Sequence, residues 1–318
     1  MAADARVGER PLPGAGGGIV GSALASSALF ALLGVVPVLW PIAAVSPLPL
    51  AVHRVNRGLV SALLATMLAA AVVSWLLSPG LAMAYLAVLA VPVLLMLEAL
   101  FRGRGLRRGA AWAFLLLAAE IVAGLFVAAP RVAEAALRPF EAFRSPEFLA
   151  EMRTRLPQQN VDDWAEQAAI FHNVMQVVYP GALFVLAALV VLANAALVRA
   201  YLARRDPGWL EGGEFEGLRL SVAVPALFVT GGALVALEPA RHVGYNVVLV
   251  TAFFFALQGL AVVAYYAHRL AGPPFLRTGL FVLVLLNPWA PQILALLGLF
   301  DTWANFRRWA DPPASTAG

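Results

Sequence analysis

The chain has 318 residues, 62% of them hydrophobic and 13% charged, with a formal net charge of +4. Soluble domains carry about 45–50% apolar and about 25% charged residues, so this composition excludes an ordinary soluble domain. There is no cysteine and no lysine, all 22 cationic residues being arginine, which removes disulfides, thiolate metal sites, a Walker-type phosphate lysine and Schiff-base chemistry.

The apolar residues fall in continuous stretches of about twenty, the length of a helix that crosses ~30 Å of hydrocarbon. Barrel strands would alternate instead, so the expected fold is all-α: a polytopic transmembrane bundle of eight or nine helices. Residues 1–17 are Pro/Gly-rich and lack an apolar core followed by a small-residue cleavage site, which reads as a disordered tail. A transmembrane domain over 18–308 and a tail over 309–318 follow. Spans are expected at Gly18–Val38, Leu59–Leu77, Leu81–Phe101, Ala110–Ala129, Val178–Leu202, Leu218–Leu237, Tyr245–His268 and Gly279–Phe300. A ninth piece, Trp40–Val52, is short and holds Pro41, Pro47 and Pro49, so it is expected to be a short or broken helix. Non-helical backbone at membrane depth must be buried by protein or line a wet cavity.

The segment 131–172 is an external loop on this reading. Ser145-Pro146-Glu147 is a helix start, and Asn160 with Asp162 and Asp163 is a second. Two amphipathic helices are expected, the second running into the span near Val178, with Phe148 and Trp164 on their apolar faces. Arginine is concentrated in His53–Arg57, Gly103–Arg108, Arg199–Arg219 and His268–Arg277, and sparser in the alternate segments, which places the first set in the cytoplasm. Topology accounts for these arginines, so the charge gives no sign of nucleic-acid binding. Reporter fusions at Gly105 and Pro207 are expected to report the cytoplasm and one at Arg155 the outside. Gly105 and Arg155 on the same side would overturn the arginine argument.

Glu120 is the ionisable residue nearest the middle of a span, and a carboxylate there costs at least ~2.5–3.5 kcal/mol. It reads either as an ion, proton or polar-ligand site or as a protonated acid bonded to a neighbouring helix. Glu98 reads as snorkelling or pairing with Arg102. Gln258-Gly259 reads as helix-packing glue or a ligand site, and Asn287 to Gln292, with Pro288 and Pro291 between, as a kink or a binding break. Asp301, Arg307 and Arg308 read as an interfacial anchor with Trp303 and Trp309. The four histidines are widely separated and form no pair at metal-binding spacing, so no metal, cofactor or catalytic residue is expected. Small residues recur every fourth position at Gly18, Ser22 and Ser26, in parallel at Gly21 and Ala25, and again at Ser61, Ala65 and Ala69. Such stripes let helices approach closely, within the chain or against a separate membrane subunit.

Pro180-Gly181 opens a long apolar run ending Ala203-Arg204-Arg205. With Phe253 to Val263 (FFFALQGLAVV) and Leu297 to Arg307 (LGLFDTWANFR), these residues resemble the YybS-like family of multipass bacterial membrane proteins. That family is similar to the S components of energy-coupling-factor vitamin transporters and, more distantly, to MreD-type cell-shape proteins. The resemblance implies an inner-membrane location and no carried-over catalytic residues. It also implies that Gly18, Ser22 and Ser26 dock a transmembrane coupling subunit, as the small-residue stripe of an S component does. The functional expectation is a solute-binding transporter subunit with a pocket that includes Glu120, against a non-transporting envelope scaffold.

Overall fold

The computed structural model describes residues 18–35, 40–142, 144–155, 161–205, 215–269, 287 and 289–310. Among the described residues there is no strand. The helices are α1 Ile19–Val35, α2 Trp40–Ala44, α3 Leu48–Arg57, α4 Leu59–Leu76, α5 Pro79–Phe101, α6 Leu106–Ala142, α7 Pro146–Arg155, α8 Val161–Arg205, α9 Ala223–Ala236, α10 Arg241–Arg269 and α11 Ala290–Ala304. Among the described residues, five helices are long and apolar enough to cross a membrane: α4, α5, Leu106–Arg138 of α6, α8, and α10 with the turn before it. The apolar part of α1, Ile19–Leu32, and the whole of α9 are shorter. The expected tail at 1–17, the start at Asn160 and most of the first half of the span Gly279–Phe300 lie outside the described residues.

The chain forms two compact units. The first is drawn from Met1–Gly124 and Leu186–Gly212, the second from Leu125–Val185 and Gly213–Gly318.

In the first unit α1 packs on α4 through small residues: Ala23, Ala62, Ala65 and Ala69 are all fully buried. Of the stripe residues, Ala65 and Ala69 of α4 therefore pack inside the chain. Trp40–Val52 is broken as its prolines require, with a turn at 45–47 between α2 and α3. One residue, Gly58, joins α3 to α4 at φ +89°, a conformation that a side chain would strain. Helix α5 contains a π-helical stretch, Tyr85–Ala90, just before Pro92. Pro92 has no N–H for the turn before it and its ring crowds a carbonyl there, so the turn widens.

The loop expected at 131–172 is mostly helix. Arg131–Ala142 continues α6 past a kink at Ala128 (φ −141°, ψ 38°), two residues before Pro130. Ser145 Oγ accepts the Phe148 N–H at 3.2 Å, capping α7 as its sequence indicates. Phe148 meets Trp164 at 5.4 Å between ring centroids. Residues 161–177 are the first turns of α8, a helix of 45 residues that carries Pro180 inside it.

The second unit is built on the crossing of α10 with α9 and α11. A Cβ on Gly259 would lie 2.0 Å from the Leu294 carbonyl oxygen, and one on Gly298 only 1.9 Å from that of Phe255. Backbone touches backbone here. Helix α11 ends at Asn305 in the left-handed conformation (φ 46°), and a 3-10 turn, Phe306–Ala310, folds back from it.

Candidate functional site

Two polar clusters and one groove are built into these units. In the first unit the break between α2 and α3 leaves carbonyls without their usual partners. The Leu48 N–H, which would serve Ala44 O in an unbroken helix, bonds Val45 O instead. Asn194 on α8 replaces it, its Nδ2 donating to Ala44 O and to Val190 O, both at 2.9 Å. Ser26 on α1 donates to Ser46 O at 2.6 Å, which spends its one proton, so Tyr85 must donate to Ser26 Oγ. Tyr85 opens the π-helical stretch of α5 and is fully buried. One turn back along α1, Ser22 Oγ lies 3.0 Å from His53 Nδ1, and His53 Nε2 lies 2.7 Å from Ser61 Oγ.

Ser46 Oγ and Asn194 Oδ1 are fully buried and have no hydrogen-bond partner among the described residues. Leaving such a group unsatisfied costs ~1–3 kcal/mol. Four members of this cluster, His53, Asn194, Tyr85 and Ser46, carry no sequence pattern of their own. The available signal was a lone polar side chain inside an apolar run.

The stripe expected to dock a partner is divided between the two sides of α1. Ser22 and Ser26 are buried and hydrogen-bonded within the unit; Gly18, with Gly21 and Ala25 of the parallel row, is on the exposed side. Hydroxyls on an apolar helix turn toward the carbonyls and imidazole they can bond, which leaves the glycine and alanine row outside.

Glu98 pairs with Arg102 at 3.0 Å, as expected, and also with the buried Arg54 at 3.0 Å. The Arg54 guanidinium lies 3.9 Å over the Phe101 ring. Glu120 belongs to the first unit and is half-buried, with no hydrogen bond or ion pair among the described residues. Helix α6 is largely exposed around it: Leu115 and Val122 both face outward.

The other expected ligand residues belong to the second unit. Gln258 is buried, accepts the Leu220 N–H through Oε1, and donates through Nε2 to Asp301 Oδ2, both at 2.9 Å. Asp301 also pairs with Arg307 at 3.0 Å and accepts the Phe306 N–H, and Arg307 donates to Leu218 O at 2.8 Å. Asp301 and Arg307 are 3% and 4% exposed, so this is a core ion pair and not the interfacial anchor expected. Both polar groups of the Gln258 side chain are engaged here. Two stretches that carry the family resemblance, Phe253–Val263 and Leu297–Arg307, thus meet at Gln258–Asp301 and Gly259–Gly298.

Asn287 is exposed and accepts the Trp289 N–H at 2.9 Å, closing a local turn before α11. Gln292 is exposed in the first turn of α11, nine residues before Asp301, or about two and a half turns. Of the four expected ligand residues, Gln258, Asn287 and Gln292 thus belong to the second unit and Glu120 to the first.

The groove lies in the second unit, between the N-terminal part of α8, α9 and α10. It encloses about 610 Å³ beside Pro180 and Gly181. Asn246 of α10 bridges the turn of α8 at this point. Its Nδ2 donates to Val177 O at 2.9 Å and its Oδ1 accepts the Gly181 N–H. Those two backbone groups would bond each other in an unbroken helix, so the amide splices the ladder next to Pro180. Only glycine admits the splice, because a Cβ on residue 181 would lie 2.8 Å from Asn246 Oδ1. Phe184, Leu227, Val247 and Val250 give the groove an apolar wall, with Gln176 and His242 at one end and Thr251 at the other. It contains none of the residues singled out from sequence except Pro180 and Gly181. Among the described residues no cluster of His, Asp or Glu is placed to hold a metal ion.

Residues 24–302 match a family described as Predicted membrane protein (DUF2232). No curated protein and no solved structure matches the chain.

Proposed function

The chain belongs to the family of predicted membrane proteins DUF2232, and from that premise we propose that it is a solute-binding subunit of a transport system in a bacterial inner membrane. The observation that carries the reading is the groove beside Pro180 and Gly181. Its volume of about 610 Å³ falls within the ~300–1,000 Å³ of small-molecule sites, and its wall is apolar with a few placed polar groups. No Asp, Glu or Arg lines it, so the fitting solute is neutral and amphipathic. The arginine distribution sets the start of the α8 span on the outer side, where such a groove would collect solute from outside the cell. The resemblance to the YybS-like family, and through it to S components, points the same way.

The test is native mass spectrometry of the purified chain. Wild type is expected to retain a bound small molecule. Leu227→Trp is expected to lose it without a change in melting temperature, because Leu227 is half-exposed at the groove wall and tryptophan fills space without repacking the core. Equal retention in both proteins, or none in wild type, would count against the reading.

A second reading, a scaffold for an envelope assembly, is favoured by Glu120. An acid inside a span calls for a partner, and an outward-facing apolar helix beside it is where a helix of another membrane protein would supply one.

A further inference from the structure

Two side-chain oxygens near the break between α2 and α3, Ser46 Oγ and Asn194 Oδ1, are buried without a hydrogen-bond partner among the described residues. Asn194 cannot turn its amide round: Nδ2 faces two carbonyl oxygens, Ala44 O and Val190 O, and the reversed amide would set oxygen against oxygen. Oδ1 is therefore an acceptor, buried and without a donor. Ser46 Oγ, two residues from the carbonyl that Asn194 holds, is likewise buried, with lone pairs that accept from no donor and a proton free to turn away from a ligand. Tyr85 gives its proton to Ser26, so its own lone pairs remain available as well.

These groups have one chemistry in common. All are neutral oxygens, hydroxyl, amide or carbonyl, drawn from α1, the break itself, α5 and α8. No carboxylate is among them, which separates the set from divalent sites, where carboxylates supply most of the ligands. Hard oxygen donors without formal charge suit an alkali-metal cation. Unwound backbone between two short helices is also where membrane helices present carbonyls to such ions.

We propose that the break at residues 45–47, with Ser46 Oγ and Asn194 Oδ1 as ligands, binds an alkali-metal cation of the Na⁺ class. The site stands apart from the groove reading, since all its residues lie in the first unit. A bound ion would satisfy the two stranded oxygens together and fasten α8 and the broken segment to each other.

The test is thermal melting of the full-length protein in detergent, in sodium, potassium or choline chloride at matched ionic strength. At about tenfold excess over the dissociation constant, Na⁺ or K⁺ is expected to raise the melting temperature by ~2–4 °C over choline. Ser46→Ala removes one stranded oxygen and none of the hydrogen bonds above, so it is expected to fold and to lose this rise. Diffraction from crystals soaked with Tl⁺ is expected to give an anomalous peak within bonding reach of Asn194 Oδ1. Equal melting in all three salts overturns the proposal. So does a cation-specific rise that survives Ser46→Ala, or density at Asn194 Oδ1 that is an ordered water only.

Discussion

Gly298→Ala is expected to lower the melting temperature of the protein by several degrees or more, against the ordinary preference of helices for alanine. In an open helix the exchange stabilises by up to about 1 kcal/mol. At Gly298 the new methyl would lie 1.9 Å from the Phe255 carbonyl oxygen and 2.7 Å from the Gly259 nitrogen. Both are backbone atoms, which cannot rotate away, so α10 and α11 must separate along their whole contact. Overpacking of this kind costs about 1–3 kcal/mol and more when backbone has to shift. The contact holds Gln258 against Asp301, so hydrogen bonds would be strained along with the packing. Gly232→Ala is the control: nothing lies within 4 Å of its added Cβ, and melting should stay level or rise. If Gly298→Ala melts no lower than Gly232→Ala, the close crossing of α10 and α11 is wrong.

Arg307→Leu is expected to have a comparable or larger effect. It strips the buried Asp301 of its cation and Leu218 O of its donor. Removing one partner of a buried pair costs about 3–5 kcal/mol, because a charge is left uncompensated in a low-dielectric interior. Adding Asp301→Asn should restore part of the loss by removing the uncompensated charge while still accepting from Phe306 N–H, although its amide nitrogen would then face the Gln258 Nε2 donor. High salt should leave the wild-type melting temperature largely unmoved, as the pair is shielded from solvent ions. A single variant as stable as wild type, or a double variant no better than the single, would show that the pair does not hold the end of α11.

These two predictions rest on contacts that sequence shows unequally. Gln258-Gly259 stood out because an amide and a glycine inside an apolar run have few uses besides a close crossing. Asp301 and Arg307 did not look paired, since six residues is not same-face spacing on a helix. The left-handed Asn305 reverses the chain between them. The break at Trp40–Val52 was legible from three prolines, and the α7 start from Ser145-Pro146-Glu147. The continuation of α6 through Arg131–Ala142 was not, because charge at Arg131, Glu134, Arg138 and Glu141 ends an apolar run without ending a helix. The groove was hidden for a different reason. Asn246 is one polar residue in a long apolar stretch, and what it does depends on Pro180 and Gly181, 65 residues away in the case of Gly181. Glu120 was found by its cost in lipid, but cost alone does not bring a second residue to it.

The splice at Val177 and Gly181 has a mechanical consequence. In most helices the bonds that resist bending at a given turn belong to that helix, so its stiffness is its own property. Here the tie across the turn is a side chain of α10, anchored in turn on His242 O. α8 can flex at this joint only as far as α10 lets its amide travel, so a sliding movement of one helix is converted into a change of angle in the other. The groove wall is made of the same residues, Val177, Pro180, Gly181 and Asn246. Whatever fills the groove therefore presses on a joint whose latch is held by its neighbour, and the two helices must respond together.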